Sequence, residues 1–375
     1  MQPELKNLKI GIIGAGYAGA STAQALLHAG FTDITVFEQA RQTTEVGAGI
    51  GLRPSSMAAF KEWGILDAIT KVSSPSPRFD IVTPTGDVMA SMEWPEKEAF
   101  GITTHLIHRA DFIEALVGAL PAGMVKLNHK LASITDNGAS ATVTFENGFS
   151  DTFDLVVGAD GIKSVVRETL FGHYPPVPAF EHTYRAVVDI DKLGGLVEDD
   201  TFRMYINQGA AKIYLLPLRH RGQVSFDLSY PNNDTTWSPA ITNEQLVQIM
   251  EGFEPRLVNL VRNIDLSTVN TRAAHDIDPV QNWHTDCITI IGDAAHAMLY
   301  HQGQGANSAI LDARELGRAL GAAKSVKEAL AEYVKVRKPI AQELQRISRQ
   351  SWDAGAVDDV FPGQHEGQAA STLEK

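Results

Sequence analysis

The stretch LKIGIIGAGYAGASTAQALLHAG, residues 8–30, constrains the fold of this chain more than any other. A short apolar run breaks into glycines, and an alanine- and leucine-rich segment continues to Gly30. The pattern predicts a buried strand over residues 8–13, a tight turn and a helix. Gly14, Gly16 and Gly19 fit G-x-G-x-x-G. In that motif one glycine makes the turn, one lets the backbone approach a pyrophosphate, and one lets helix and strand pack closely. The helix start then offers free N–H groups and a partial positive charge to phosphate. A second strand, ITVFE, ends in Glu38, where an acid can accept hydrogen bonds from a ribose diol. The alternative is a glycine turn that only packs. The fingerprint alone leaves NAD and FAD both open.

Composition narrows the function. The formal net charge of −13 offers no basic field to nucleic acid, although one or two local arginines suffice for a small anion. Cys287 is the only cysteine, which removes an intrachain disulfide framework and any CxxC metal site. It sits in the apolar run DCITIIGD and reads as a buried strand residue. No segment reaches the roughly 20 continuous apolar residues of a membrane span. Glycines interrupt the first apolar stretch, so it does not read as a secretory core. The expectation is a soluble, cytoplasmic protein without metal, nucleic-acid or membrane partners.

After Glu38, RQTTEVGAGIGLRPSS carries Gly47, Gly49 and Gly51 toward a helix near residues 55–63. It either runs along the far half of a long dinucleotide or is an ordinary connection. PRFDIVTPTGDVMASMEW alternates about Thr85-Gly86-Asp87 as a hairpin. HLIHRADFIEALVGALP predicts a short strand and a helix with Asp111 as N-cap. DNG and ENG turns separate the strands leading to DLVVGADG. That segment places Asp160 and Gly161 at the carboxyl edge of a sheet, where α/β ligand sites gather. Capping of the next helix is the other reading of Asp160.

YRAVVDI, TFRMYIN, AKIYLLPL and QVSFDLSY then read as antiparallel strands, followed by two helices. A strand near 286–292 returns to the first domain, ahead of helices over 304–321 and 326–350. The expected architecture is α/β. A Rossmann-like dinucleotide domain (1–75, 101–181 and 270–320) interleaves with a mainly antiparallel substrate-side sheet (76–100 and 182–269). A C-terminal helix (321–353) and a polar tail (354–375) complete it.

Three signals stand in order: GAGYAG with Glu38, GADGIKSVVR, and IIGDAAHAMLYHQGQGANSAILDA. Together they resemble the class A flavoprotein monooxygenases, the para-hydroxybenzoate hydroxylase and salicylate hydroxylase family, over nearly the whole chain. Within it, hydroxylases of pyridine carboxylates such as 6-hydroxynicotinate 3-monooxygenase are similar. The resemblance implies FAD as cofactor and NADH or NADPH as electron donor. Gly14, Gly16 and Gly19 would then hold the ADP pyrophosphate, and Glu38 the ribose. Arg109 would reach the pyrophosphate region. Asp160 and Gly161 match a motif associated with FAD and the nicotinamide cofactor, with Arg167 supporting the fold. Asp293 would meet the ribityl side. The backbone at Gly305, Ala306 and Asn307 would face the flavin N1–O2 edge.

The implied reaction hydroxylates a small electron-rich aromatic or N-heteroaromatic ring with O2, through a flavin C4a-hydroperoxide. One departure stands out: many members have proline where this chain has Tyr300, followed by His301. Either side chain could hydrogen-bond a substrate hydroxyl or help remove its proton. The alternative is that Tyr300 packs under the flavin loop and His301 faces solvent. Tyr214, in KIYLLPL, is the third catalytic candidate, and Tyr214 and Tyr300 are also candidate substrate contacts. Arg53, in GIGLRPSS, meets a substrate carboxylate if its loop turns inward, and otherwise lies along FAD or in solvent. His296 reads as structural or flavin-side. The competing functions are an epoxidase or oxidase acting on a natural product, and a flavin-binding regulatory protein without turnover. A monomer or a homodimer fits the sequence equally.

Overall fold

The computed structural model describes residues 5–41, 47–94, 96–207 and 211–350. A five-stranded sheet runs in the order Ile288–Ile290, Leu155–Gly158, Ile10–Ile13, Ile34–Phe37 and Val125–Lys126, every pair parallel. The three strands Ile288–Ile290, Leu155–Gly158 and Ile10–Ile13 are short apolar runs buried on both faces, as parallel sheets require. The helix Tyr17–His28 packs against the helix Gly305–Ala322. Small residues set their approach: a Cβ on Gly317 would lie 3.0 Å from the Ala25 carbonyl oxygen. Three strands of this sheet end at one edge, and their carboxyl ends deliver Gly14, Ala159–Asp160 and Gly292–Asp293 side by side.

A seven-stranded sheet runs Asn270–Asp276, Val177–Asp189, Gln223–Pro231, Lys212–Leu218, Phe202–Ile206, Arg78–Val82 and Val88–Glu93. It is antiparallel except where Phe202–Ile206 meets Arg78–Val82. One face buries Tyr184, Ala186, Val188 and Phe226 under the helices Asn243–Ile249 and Pro255–Asn263. The other face carries Phe79, Met204, Tyr214 and Leu216 toward the first domain. The strand Gly49–Leu52 joins Thr104–His108 and Ser73–Ser76 in a small antiparallel sheet between the two units.

The chain is therefore α/β with a Rossmann-like parallel sheet, an interleaved antiparallel sheet and C-terminal helices, as the sequence led us to expect. Residues 270–276, expected in the dinucleotide domain, form an edge of the seven-stranded sheet, because they pair with Val177–Asp189. That partner strand starts at Val177, inside the segment assigned to the first domain. Asp111 does not cap its helix. His108 is the N-cap, and the Asp111 carboxylate accepts from Arg221 at 2.7 and 2.9 Å across to the substrate-side sheet. The polar tail over 354–375 lies outside the described residues.

Candidate active site

The three glycines of the first turn have separable roles. A Cβ on Gly14, at φ +102°, would come 2.4 Å from the Ala159 carbonyl oxygen, and one on Gly19 would come 1.8 Å from that of Gly14. Both keep backbone in contact with backbone. Around Gly16 a Cβ would meet nothing within 4 Å, and Gly16 borders a cavity of about 400 Å³. The Glu38 carboxylate accepts from the Ala15 N–H at 2.9 Å and the Ala40 N–H at 2.8 Å, locking the turn to the end of the second strand.

Arg109, Gly161, Asp293, Gly305 and Ala306 border the same cavity, Arg109 with its guanidinium 4.9 Å from the centre of the Tyr17 ring. Asp160 does not present its carboxylate there. That group accepts from Ser164 Oγ at 2.5 Å and from the Val165 and Val166 N–H groups at 2.7 and 3.1 Å. It therefore caps the helix Val165–Leu170, and burial pushes its pKa up against those hydrogen bonds. Arg167 is buried and donates to the carbonyls of Ala294, Ile162 and Tyr174, tying the second motif to the third.

Asn307 is likewise internal rather than cavity-facing. Its Oδ1 accepts from Arg53 N–H and Ser56 Oγ–H at 2.8 and 2.7 Å, and its Nδ2 donates to the carbonyls of Gly51 and Gly303. The side chain thus staples the strand Gly49–Leu52 to the turn before the helix Gly305–Ala322. Behind that turn His296 pairs with Asp312 at 2.5 Å, and Arg337 reaches the other Asp312 oxygen at 2.7 Å. Burial would raise the Asp312 pKa, but its partners His296 and Arg337 prevail and hold it low. His296 is therefore structural.

The substrate-side half of the cavity has an aromatic wall. Phe79 stacks on Phe202 at 5.1 Å, Trp94 lies 5.7 Å from Phe202, and Tyr214 meets Tyr300 edge-on at 6.2 Å. Arg53 does turn inward, with its guanidinium 5.0 Å over Trp94 and Nη2 donating to the Gln302 carbonyl at 3.3 Å. A second cation, Arg185, stands 5.2 Å over the Tyr300 ring, with Nε 3.5 Å from Asp227 Oδ2. That separation is an ion pair, and among the described residues the buried Arg185 Nε makes no hydrogen bond. Burial raises the Asp227 pKa, opposed by Arg185 and by Ser225 Oγ, which donates at 2.7 Å. The Tyr214 hydroxyl is buried and also unpaired among the described residues. Burial raises its pKa, so it stays a donor.

The remaining two candidates are already engaged. Tyr300 Oη donates to Glu181 Oε1 at 2.5 Å, and its own pKa is raised by burial and by that carboxylate. His301 has Nε2 at 2.8 Å from Glu181 Oε2 and Nδ1 at 2.9 Å from the Ser348 carbonyl. Both rings line the cavity, but neither offers a free basic atom to it. Burial would raise Glu181, yet His301 and Tyr300 overcome it and hold the carboxyl at about 2, against an ordinary 4.5. A depressed carboxyl adds stability above its unfolded pKa and loses it as pH falls through the folded value. The stability gap between wild type and E181Q is therefore expected to narrow as pH drops from about 5 to about 3 in thermal unfolding. A gap constant over that range would contradict the pairing.

Sequence reading missed Arg185, Asp227, Glu181 and the Phe79–Trp94–Phe202 wall. Arg185 had a signal. In YRAVVDI the residues Tyr184, Ala186 and Val188 alternate as one buried face, which puts the arginine on the other, beside Val187 and Asp189.

The FAD binding domain family matches residues 7–348. This chain belongs to that family. Salicylate hydroxylase from Pseudomonas putida is 31% identical over 94% of this chain and 86% of its own length. The 6-hydroxynicotinate 3-monooxygenase of Pseudomonas fluorescens is 30% identical over 91% of this chain and 90% of its own length. The crystal structure of Klebsiella pneumoniae HpxO with FAD and uric acid shares the fold at a TM-score of 0.82, with 24% identity over 97% and 92% of the two chains. As a class A flavoprotein, the protein is an FAD-dependent monooxygenase of aromatic compounds that draws electrons from NADH or NADPH. The geometry suits FAD: the open face at Gly16 and the helix start behind it suit a pyrophosphate, and Gly305 and Ala306 border the same cavity.

Proposed function

We propose that the protein hydroxylates a small aromatic acid, a hydroxylated benzoate or pyridine carboxylate, with the carboxylate on Arg185 and the ring hydroxyl at Tyr214. The Arg185 guanidinium carries this reading. It lines the cavity, faces Asp227 and Tyr300, and has its Nε buried without a hydrogen bond. Leaving a buried charged donor unmade costs about 1–3 kcal/mol or more, which an anionic ligand recovers. The two relatives named above act, by their names, on salicylate and 6-hydroxynicotinate, both aromatic acids.

FAD, when bound, supplies two-electron chemistry with NADH or NADPH and the activation of O2. The chain does the rest. Phe79, Trp94 and Phe202 exclude water from the ring, and Arg185 fixes its direction. The Tyr214 hydroxyl donates to the ring oxygen and so favours a phenolate-like, electron-rich ring. The glycine turn, Glu38 and Arg109 hold the ADP end, and Asp293 with the backbone of Gly305 and Ala306 holds the flavin end. A cytoplasmic enzyme, monomeric or homodimeric, belongs to the same reading; no helix among the described residues is long and apolar enough to cross a membrane.

NADH and NADPH oxidation by the FAD-loaded protein, followed with an oxygen electrode, tests this against hydroxylated benzoates, pyridine carboxylates and their decarboxylated analogues. Strong stimulation by an acid, with little by its neutral analogue, is the expected result. Stimulation by neutral ring compounds alone would overturn the acid assignment.

A further inference from the structure

Glu181 meets the cavity-lining Tyr300 and His301 from an irregular piece of strand. Val177–Asp189 pairs with Asn270–Asp276 in two registers, with a bulge between Pro178 and His182. Inside that bulge Phe180 takes φ +54°, a left-handed conformation that costs a bulky residue on the order of 1–3 kcal/mol. Burial of its ring does not compensate, because Phe180 is 55% exposed. A hydrogen bond from Asn232 N–H to its carbonyl holds the turn. Bulges of this kind re-aim a side chain. The side chain re-aimed here is Glu181, which lies on the same strand face as Arg185, four residues along.

We propose that Glu181 is a positioning residue for the hydroxylation site: its carboxylate accepts from Tyr300 and meets His301, and so fixes the loop that carries the cavity floor. The inference rests on the aromatic-hydroxylase reading for its kinetic consequence, though not for its geometry. The two contacts span both carboxylate oxygens, at 2.5 and 2.8 Å. Beyond His301 the chain of contacts ends at the Ser348 carbonyl, which accepts and cannot pass a proton onward. The network therefore holds position rather than conducting protons. Ser348 Oγ adds a bond from the Leu299 N–H at 3.2 Å, anchoring the loop from its other side. What the clamp controls is the Tyr300 ring, which supports the Arg185 guanidinium and meets Tyr214 edge-on. Glu181 thus acts on the two substrate contacts without touching the ring.

Glutamine at this position separates geometry from charge. Its carbonyl can accept from Tyr300 Oη, and its amide can donate to His301 Nε2 while Nδ1 still donates to Ser348. E181A removes both contacts, and E181D keeps the charge but withdraws it by one methylene.

The test uses the FAD-loaded full chain and reads two quantities. Hydrogen exchange over residues 297–306 is measured without substrate, and the fraction of consumed O2 released as hydrogen peroxide is measured with the stimulating acid. E181A is expected to speed exchange in that segment by ~10-fold or more and to raise the peroxide fraction several-fold, with E181D intermediate and E181Q, which keeps both contacts but loses the charge, between wild type and E181A. Exchange in E181A or E181D equal to wild type would overturn the proposal, as would E181Q behaving like E181A. If no aromatic acid stimulates turnover, the substrate reading fails while the exchange result still decides the role of Glu181.

Discussion

Arg185→Met is expected to raise the KM for an aromatic acid by ~30- to 100-fold, with a much smaller change in kcat. The figure is the loss of charge-assisted hydrogen bonds in a site shielded from water, about 2–3 kcal/mol. Methionine keeps most of the aliphatic stem and removes the guanidinium that stands over Tyr300. Asp227 would be left without its cation, but burial already raises its pKa, so it can take up a proton rather than remain an isolated charge. Two controls isolate the effect. A neutral analogue lacking the carboxylate should show nearly the same kcat/KM in wild type and variant. Arg53→Met should raise KM for the acid far less, because that guanidinium is held over Trp94 and on the Gln302 carbonyl. An equal loss for acid and neutral analogue would show that Arg185 shapes the chamber without reading the carboxylate.

Gly16→Ala and Gly19→Ala are expected to fail in different ways. The Gly16 Cβ has open space within the protein, so the variant should fold with an unchanged thermal midpoint in the absence of FAD. The added methyl would stand in the space left for the pyrophosphate and should weaken FAD binding by ~100-fold or more, since backbone approach is what that glycine permits. At Gly19 the new Cβ would lie 1.8 Å from the Gly14 carbonyl oxygen, so the helix Tyr17–His28 would have to shift. That variant should lose FAD and also unfold at lower temperature. Fluorescence titration with FAD and calorimetry of the apoprotein separate the two. Wild-type FAD affinity in Gly16→Ala would place the pyrophosphate elsewhere.

These contrasts show what could be read from sequence. The dinucleotide turn, the GADG and GD segments and the α/β architecture were legible because each is local: a glycine spacing at the end of an apolar strand has few structural meanings. The same residues also show the limit. Asp160 and Asn307 stand inside their motifs, yet both turn their side chains into the scaffold, one capping a helix and one stapling two loops. The sequence left capping open for Asp160 but gave no sign of the staple. Tyr300 and His301 were legible as a departure, but their partner Glu181 lies about 120 residues earlier, on a strand whose bulge and register no local pattern reveals. The Arg185–Asp227 pair had the same obstacle. It forms only when two neighbouring strands, Val177–Asp189 and Gln223–Pro231, place residues 185 and 227 opposite each other.

The most direct test of the central claim uses oxygen-18 gas. Wild-type protein loaded with FAD is given NADH or NADPH and the aromatic acid that stimulates it most, and the product is weighed by mass spectrometry. A hydroxylated acid carrying one labelled oxygen, with NAD(P)H consumed in step, is the expected result. A dehydrogenated or unlabelled product formed at the same rate would contradict a monooxygenase acting on an aromatic acid in this cavity.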